Sequence, residues 1–428
     1  MSAPIIKHKN CKHNVCFLFL LSAMLLFHSF APLRVAFATS TASSRNVQRD
    51  TALSPSSADD SLETSAKSAI LIEAQTGTVI FEKNADERLR PASVTKIMTL
   101  LLIFEALEKQ QFQLQDLVTV SEHAASMGGS QVFLEPGETQ SVDDMIKCIS
   151  IASANDASVA MAEFVAGSET AFVDQMNAKA QALGMKNTTF KNCCGLEADG
   201  HLTTARDIAL MSRELLTKHP QIRDYCTIWQ DSITHETKRG SSEFGLTNTN
   251  KFLKQYPYAT GLKTGYTSLA KYCISASAAK DSLELITVLM AEPDISSRVN
   301  DLQRFMDYGF SRCALYEDAN TDPLPKLSVS HGASESVALS YEGSMKYLDV
   351  NGRDLSSVKK ELSLPDSIEA PVQKGDIVGK AIYTCNDTVL GTVNIRAQES
   401  VERANFMHYL QLLTRQLFHN SCYSIYGL

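Results

Sequence analysis

The sequence predicts an α/β domain of about 250 residues followed by a smaller, mostly β domain. Three observations carry that expectation. Two pairs of short strand-like runs bracket residues 66–312, Ser68–Glu73 with Thr78–Glu82 and Tyr272–Ala278 with Leu283–Met290. Helix-length stretches fill the space between them, and another follows the second pair. Beyond Cys313 helical periodicity stops, and short runs alternate with the turn signals Asn351-Gly352, Lys374-Gly375-Asp376 and Asn386-Asp387. The 428 residues leave room for two or three domains, and 44% hydrophobic with 21% charged residues is a globular composition. A net charge of -8 argues against a nucleic-acid binder, which needs a concentrated basic face.

In chain order, residues 1–38 contain Lys7, Lys9, Lys12 and Arg34 and no acidic residue. The cluster Lys7–Lys12, the apolar run Val15–Phe27 and the small-x-small site Ala36-Phe37-Ala38 predict a signal peptide cleaved after Ala38 and an exported, extracytoplasmic chain. The run is short against the roughly 20 residues needed to span a bilayer. Residues 39–65 are rich in Ser, Thr, Ala and Asp without apolar periodicity and read as a spacer. The folded part starts at Ala66 with a hairpin turning at Thr76-Gly77.

After Pro91, Ser93–Leu107 has helix length and Lys96 as its one charge before Glu105, so this helix is expected to be buried on most faces. Asp143–Ala166, Glu169–Leu183 and Thr203–Leu216 read as further helices, a helical lobe. The second strand pair turns at Lys280-Asp281, and Arg298–Phe310 closes the domain as a helix. Residues 313–400 form the β domain. In 401–428, Phe406, Tyr409, Leu410, Leu413 and Leu417 share one helical face, opposite Arg403, His408, Gln411, Arg415 and His419. Such a helix suits a lipid interface, or packing on the β domain.

Eight cysteines lie beyond residue 38, at 148, 193, 194, 226, 273, 313, 385 and 422. An oxidising compartment favours disulfides, whereas apolar neighbours, as in Tyr272-Cys273-Ile274, favour buried thiols. No metal-ligand spacing is present, and neither a metal nor a cofactor is expected.

Ser93-Val94-Thr95-Lys96 places a hydroxyl and an amine three residues apart, on one helical face. The same spacing recurs at Ser268, Ser277, Ser356 and Ser357, but only Ser93 follows a proline at the start of an apolar helix, where free N–H groups and the dipole favour a developing anion. Ser153-Ala154-Asn155 sits in an apolar segment sixty residues on, and Lys263-Thr264-Gly265 supplies a cation, a hydroxyl and a glycine that admits a ligand to the backbone. Each alone also suits a turn or a strand end. The order S-x-x-K, S-x-N, K-T-G in one domain matches the set found in penicillin-binding proteins and β-lactamases.

On these residues the chain resembles the low-molecular-mass penicillin-binding protein family of D-alanyl-D-alanine carboxypeptidases. Gly129-Ser130, Ala154-Asn155-Asp156-Ala157, Gly184-Met185, Gly195-Leu196, His201, Thr203-Thr204-Ala205, Asn248-Thr249-Asn250 and Gly261 through Thr267 match it in order and spacing, and Ala370-Pro371-Val372 resembles its C-terminal domain. The resemblance implies a β-lactamase/transpeptidase-like fold, an antiparallel sheet flanked by helices plus a helical lobe. It also implies a serine peptidase acting on peptidoglycan stem peptides that end in D-Ala-D-Ala, acylated by β-lactam antibiotics, with peripheral membrane contact through the last helix. Ser93 is then the nucleophile and Lys96 its base, with burial and Lys263 depressing the amine's pKa. Ser153 relays a proton to the leaving amine, and Asn155 holds the substrate amide. The N–H groups of Ser93 and Tyr266 bind the oxyanion, Lys263, Thr264 and Arg298 bind the terminal carboxylate, and Gly265 lets the substrate approach the backbone. The chain departs from the family pattern at Thr260, Tyr266 and Lys271, none of them a reacting group.

Two other readings compete. A class A β-lactamase normally carries S-D-N and a Glu four residues before an Asn. Here the middle residue is Ala154, and no such Glu lies between Asn155 and Lys263. A non-catalytic wall-binding or β-lactam-sensing protein usually lacks a reacting residue, and none is missing. His201, among Gly200, Leu202 and Thr203, reads as structural rather than as a triad base.

Overall fold

The computed structural model describes residues 62–411 with 413 and 414. The expected signal peptide, most of the spacer, Cys422 and the tail residues Arg415, Leu417 and His419 lie outside the described residues.

The chain opens with the hairpin β1 (Ser68–Glu73) and β2 (Val79–Lys83). A 3₁₀ turn over Ala92–Thr95 leads into α1 (Lys96–Glu108). The helical lobe follows as β3 (Leu117–Thr119), α2 (Glu122–Ala125), β4 (Thr139–Ser141), α3 (Val142–Ser150), α4 (Asn155–Ala166), α5 (Glu169–Ala182), α6 (Ala205–Lys218) and α7 (Ile222–Cys226). Then come β5 (Gln230–Thr237), β6 (Gly240–Thr247), α8 (Phe252–Gln255), β7 (Ala259–Thr267), β8 (Lys271–Lys280), β9 (Leu283–Glu292) and α9 (Ile295–Arg312).

The central sheet is antiparallel with order β2-β1-β9-β8-β7. Both of its faces are covered, which is why β1 reads as an almost unbroken apolar run. Alternate residues divide between two cores. Ile70, Ile72, Ile286 and Val288 face α1 and the lobe. Ala69, Leu71, Leu285 and Leu289 pack on Leu302, Phe305 and Met306 of α9. Helix α1 is buried nearly all round, as its composition requires.

Several features depart from the sequence expectation. Asp143–Ala166 is two helices, α3 and α4, separated by residues 151–154; Ser153 sits there with φ +62°, a left-handed conformation no α-helix accommodates. Lys263-Thr264-Gly265 precedes the expected strand pair but lies within a strand of its own, β7, which pairs with β8 at the sheet edge. The hairpin β5–β6 falls in a stretch with no predicted element, because its residues are mostly polar and exposed and show no apolar alternation.

The β domain comprises β10 (Ala314–Asp318), β11 (Leu327–Ser330), β12 (Ser336–Val337), β13 (Leu339–Tyr341), β14 (Met345–Asp349), β15 (Lys359–Ser363), β16 (Ser367–Glu369), β17 (Ile377–Cys385) and β18 (Thr388–Ala397). Its main sheet has order β13-β18-β17-β15, and Leu327, Val337, Ile395 and Val401 share one core. Leu348 of β14 reaches the α9 core of the first domain. The last helix starts at residue 406, later than expected. Val401 is buried in the β domain, and Arg403, expected on the polar helical face, bridges to Gly332. Phe406, Tyr409, Leu410 and Leu413 are all exposed. No helix among the described residues is long and apolar enough to cross a membrane.

Candidate active site

The 3₁₀ turn presents Ser93 at the N-terminus of α1, and one turn on, Lys96 is completely buried. Its Nζ lies 3.2 Å from Ser93 Oγ, 2.6 Å from Asn155 Oδ1 and 2.9 Å from the Cys194 carbonyl. A free amine has two N–H groups and one lone pair. Asn155 Oδ1 and the Cys194 carbonyl can only accept, so in the free-amine form they would take the two N–H groups and the lone pair would be left for the serine hydroxyl. Burial lowers the Lys96 pKa, opposed by Cys194, Cys193 and Asp156.

The segment that offers Cys194 is clamped to α1. Thr99 Oγ1 donates to the Cys193 carbonyl at 2.7 Å, and Asn192 Oδ1 accepts from the N–H groups of Cys194, Gly195 and Leu196 at 3.2, 2.7 and 3.0 Å. Gly195 has φ +85°, and a Cβ there would stand 1.8 Å from the Ala92 carbonyl oxygen, in the turn that carries Ser93. Gly195→Ala is therefore expected to cost about 3 kcal/mol of stability from overpacking and left-handed strain, with β-lactam labelling lost in the folded fraction. Denaturant unfolding and labelling kinetics check this.

His201 is structural. Lys191 N–H donates to Nδ1 at 3.2 Å, so the neutral ring carries its proton on Nε2, which meets Thr95 Oγ1 at 2.9 Å. Burial first, then Arg90 and Lys191, push its pKa down to about 4. A folded pKa below the unfolded value means stability fully present above about pH 6.5 and lost as pH falls toward 4. The loss expected from this residue is about 3 kcal/mol. Unfolding midpoints across that range for the parent and His201→Gln measure it, and the variant should show the smaller decline.

Asn155 begins α4 and is fixed at both ends of its amide: besides holding Lys96, its Nδ2 donates to the Gly128 carbonyl at 2.7 Å, leaving one N–H for a ligand. Asp156 accepts from the N–H groups of Val132 and Leu134 at 3.1 and 3.2 Å, stapling the 128–134 loop to α4, although burial raises its pKa. Ser153 Oγ is buried and has no hydrogen-bond partner among the described residues.

On the other side, β7 is the edge strand, so alternate backbone groups are not taken up by β8. Gly265 passes so close to the Ser93 turn that a Cβ would lie 2.9 Å from the Pro91 carbonyl oxygen and 3.1 Å from Ser93 N. Only glycine lets the strand approach this far. Lys263 is buried and donates to the Thr264 carbonyl at 3.2 Å. Burial holds its pKa well below the usual value, and Lys96 and Arg298 push it the same way. The neighbouring-cation effect expected on Lys96 thus falls on Lys263. Thr264 Oγ1 meets Thr249 Oγ1 at 2.9 Å. The Tyr266 ring is exposed and lies on Tyr272, centroids 4.4 Å apart. Arg298, near the start of α9, donates to the Cys273 carbonyl at 3.2 Å.

The structure thus links Ser93, Lys96 and Asn155 directly, lays Gly265 against the Ser93 turn, and sets Lys263 within the field of Lys96 and Arg298. The supporting groups had no assigned role in the sequence: the Cys194 and Gly128 carbonyls, Asn192, Asp156 and Thr99. Gly195 and Asp156 stood inside matching motifs, and that was the available signal. A backbone carbonyl leaves none.

The family described as D-alanyl-D-alanine carboxypeptidase matches residues 53–294, and the penicillin-binding protein 5 C-terminal domain matches residues 319–403. D-alanyl-D-alanine carboxypeptidase DacF of Bacillus subtilis is 44% identical over 349 residues, 81% of this chain and 88% of that protein. DacA of Escherichia coli K12 is 32% identical over 366 residues, 83% of this chain and 88% of that protein. Among solved structures, penicillin binding protein 5 from Haemophilus influenzae superposes with a TM-score of 0.69 at 27% identity, covering 80% of this chain and 98% of that one.

Proposed function

The chain belongs to the D-alanyl-D-alanine carboxypeptidase family, serine-type enzymes, and from that premise we propose that it removes the terminal D-alanine of peptidoglycan stem peptides through an acyl-enzyme on Ser93. β-Lactams acylate the same serine. The observation that carries this reading is the Lys96 amine, 3.2 Å from Ser93 Oγ with its two N–H groups occupied by acceptors. Lys96 takes the Ser93 proton as Oγ attacks the penultimate D-Ala carbonyl. The N–H groups of Ser93 and Tyr266 stabilise the oxyanion, donors worth about 3 kcal/mol each. The C–N bond breaks as a proton passes through Ser153 to the departing D-alanine amine, and water then hydrolyses the ester. Asn155 positions Lys96 and keeps one N–H for the substrate amide.

Mass spectrometry of the mature chain with a β-lactam tests this: one adduct, mapped to Ser93, is expected. No adduct, or one on another residue, overturns it. Hydrolysis of a D-Ala-D-Ala peptide separates an enzyme from a protein that is acylated without turnover.

Lys263, Thr264 and Arg298 bind the terminal carboxylate. Burial lowers the Lys263 pKa, with Lys96 and Arg298 pushing the same way, and the arriving substrate anion favours its charged form. Lys263→Ala and Arg298→Ala should lower kcat/KM about 10- to 100-fold for substrates with a free C-terminal D-Ala, and far less for the corresponding amides. Equal losses on both substrates contradict the assignment.

The proposed location is the outer face of the cytoplasmic membrane, after export. Supporting it, Phe406, Tyr409, Leu410 and Leu413, the described residues of the expected apolar face, are exposed rather than packed onto the β domain. Truncation after Ala404, which spares the buried Val401, should release the mature protein from membranes without changing hydrolysis of a soluble peptide.

A further inference from the structure

Cys193 and Cys194 lie beside the proposed site but take no part in its chemistry through their thiols. Both are buried and neither is in a disulfide. Their Sγ atoms are 3.6 Å apart, and Cys193 Sγ is 3.4 Å from Glu169 Oε1. The two Sγ atoms and a Glu169 carboxylate oxygen all lie within 4.8 Å of one another. Glu169 opens α5, and its second oxygen meets His123 Nε2 at 2.9 Å.

We propose that Cys193, Cys194 and Glu169 form a binding site for a thiophilic divalent cation of the zinc class. For metal–sulfur bonds of about 2.3 Å, two sulfurs on a tetrahedron stand about 3.8 Å apart, and a sulfur and a carboxylate oxygen about 3.5 Å apart. Two of the three separations, 3.6 and 3.4 Å, are close to these edges, and the third, between Cys194 Sγ and the carboxylate oxygen, is within 4.8 Å and shortens as the donors close on an ion. Two thiolates and a carboxylate are also the donor types that zinc takes, with a fourth position left for His123 or water. His123, already on the carboxylate, otherwise orients it as an outer partner. An entry path exists on this side: the side chains of His123 and Glu169 retain 53% and 18% of their exposure. On binding, each Sγ–H gives its proton to the buffer as an Sγ–metal bond forms, with no change of oxidation state. The site is distinct from the proposed nucleophile and base, and it borders them: the Cys194 carbonyl holds Lys96, and its Sγ lies 3.5 Å from the Asn155 carbonyl oxygen.

The test is a titration of the full mature chain with Co²⁺ in a metal-free reducing buffer, followed by displacement with Zn²⁺. One equivalent should produce tetrahedral d–d bands and a thiolate-to-cobalt charge-transfer band, both erased by Zn²⁺. Cys193→Ser and Cys194→Ser should each halve the charge-transfer intensity, and the double variant should abolish it. Glu169→Gln keeps both thiols and should weaken binding about 10- to 100-fold. Circular dichroism and thermal unfolding establish that each variant is folded. Absence of the band in the folded parent, or its persistence in the double variant, overturns the proposal. Neither result bears on Ser93, whose acylation is read separately by β-lactam adduct mass.

Discussion

Alanine at position 93 should abolish peptide hydrolysis and β-lactam labelling together, an expected loss of about 10⁶-fold in kcat by comparison with other serine peptidases. The size follows from the site's construction. Ser93 Oγ is the hydroxyl 3.2 Å from the Lys96 amine, the group expected to act as the nucleophile. Stability should stay close to the parent's, because the side chain is only half-buried and its exchange removes one hydrogen bond of a surrounded amine. Rapid-quench assays with a D-Ala-D-Ala peptide, intact mass after β-lactam exposure and thermal unfolding measure the three quantities. Turnover near the parent value would falsify the assignment of Ser93.

Lys96→Ala should lower the acylation rate by about 10⁴-fold, the upper range for removal of a general base, with a smaller effect on KM. The pH dependence gives a second readout. Lys96 acts as a base only as the free amine, and burial lowers its pKa, so the parent's kcat/KM should fall as pH drops below that lowered value. The residual activity of Lys96→Ala should lack this limb. Fast labelling of the variant with the limb intact would transfer the base role to Ser153 or water.

Local repeats made the main catalytic spacing legible. Ser93 and Lys96 lie three residues apart where the chain turns into a helix, and that periodicity alone brings a hydroxyl and an amine together. The burial of Lys96 was likewise written in the uncharged run around it, because a helix apolar on all sides has to be enclosed. The strands β1 and β9 were readable from their apolar runs rich in Ile, Leu and Val, and β8 from the small and apolar run Tyr272–Ala278. Strand β7 was not, because Ala259–Thr267 mixes two glycines with polar residues and owes its strand conformation to pairing with β8. Hairpin β5–β6 escaped for a similar reason: its cross-strand hydrogen bonds are independent of side-chain polarity.

By itself, then, the sequence determined the fold class from the pattern of its runs, and it singled out Ser93, Lys96 and Lys263-Thr264-Gly265 as candidates through local spacing and the order of three motifs. Tertiary structure alone decided how Lys96 is held. Its two acceptors come from Asn155 and the Cys194 backbone, 59 and 98 residues away, and the second is a carbonyl that every residue type carries. It also decided why Gly195 and Gly265 must be glycine, since the atoms that exclude a Cβ belong to the Pro91–Ser93 turn, remote in sequence. A side chain's identity is written locally, whereas the free space around it and the direction of a lone pair depend on which distant segments the core brings against it.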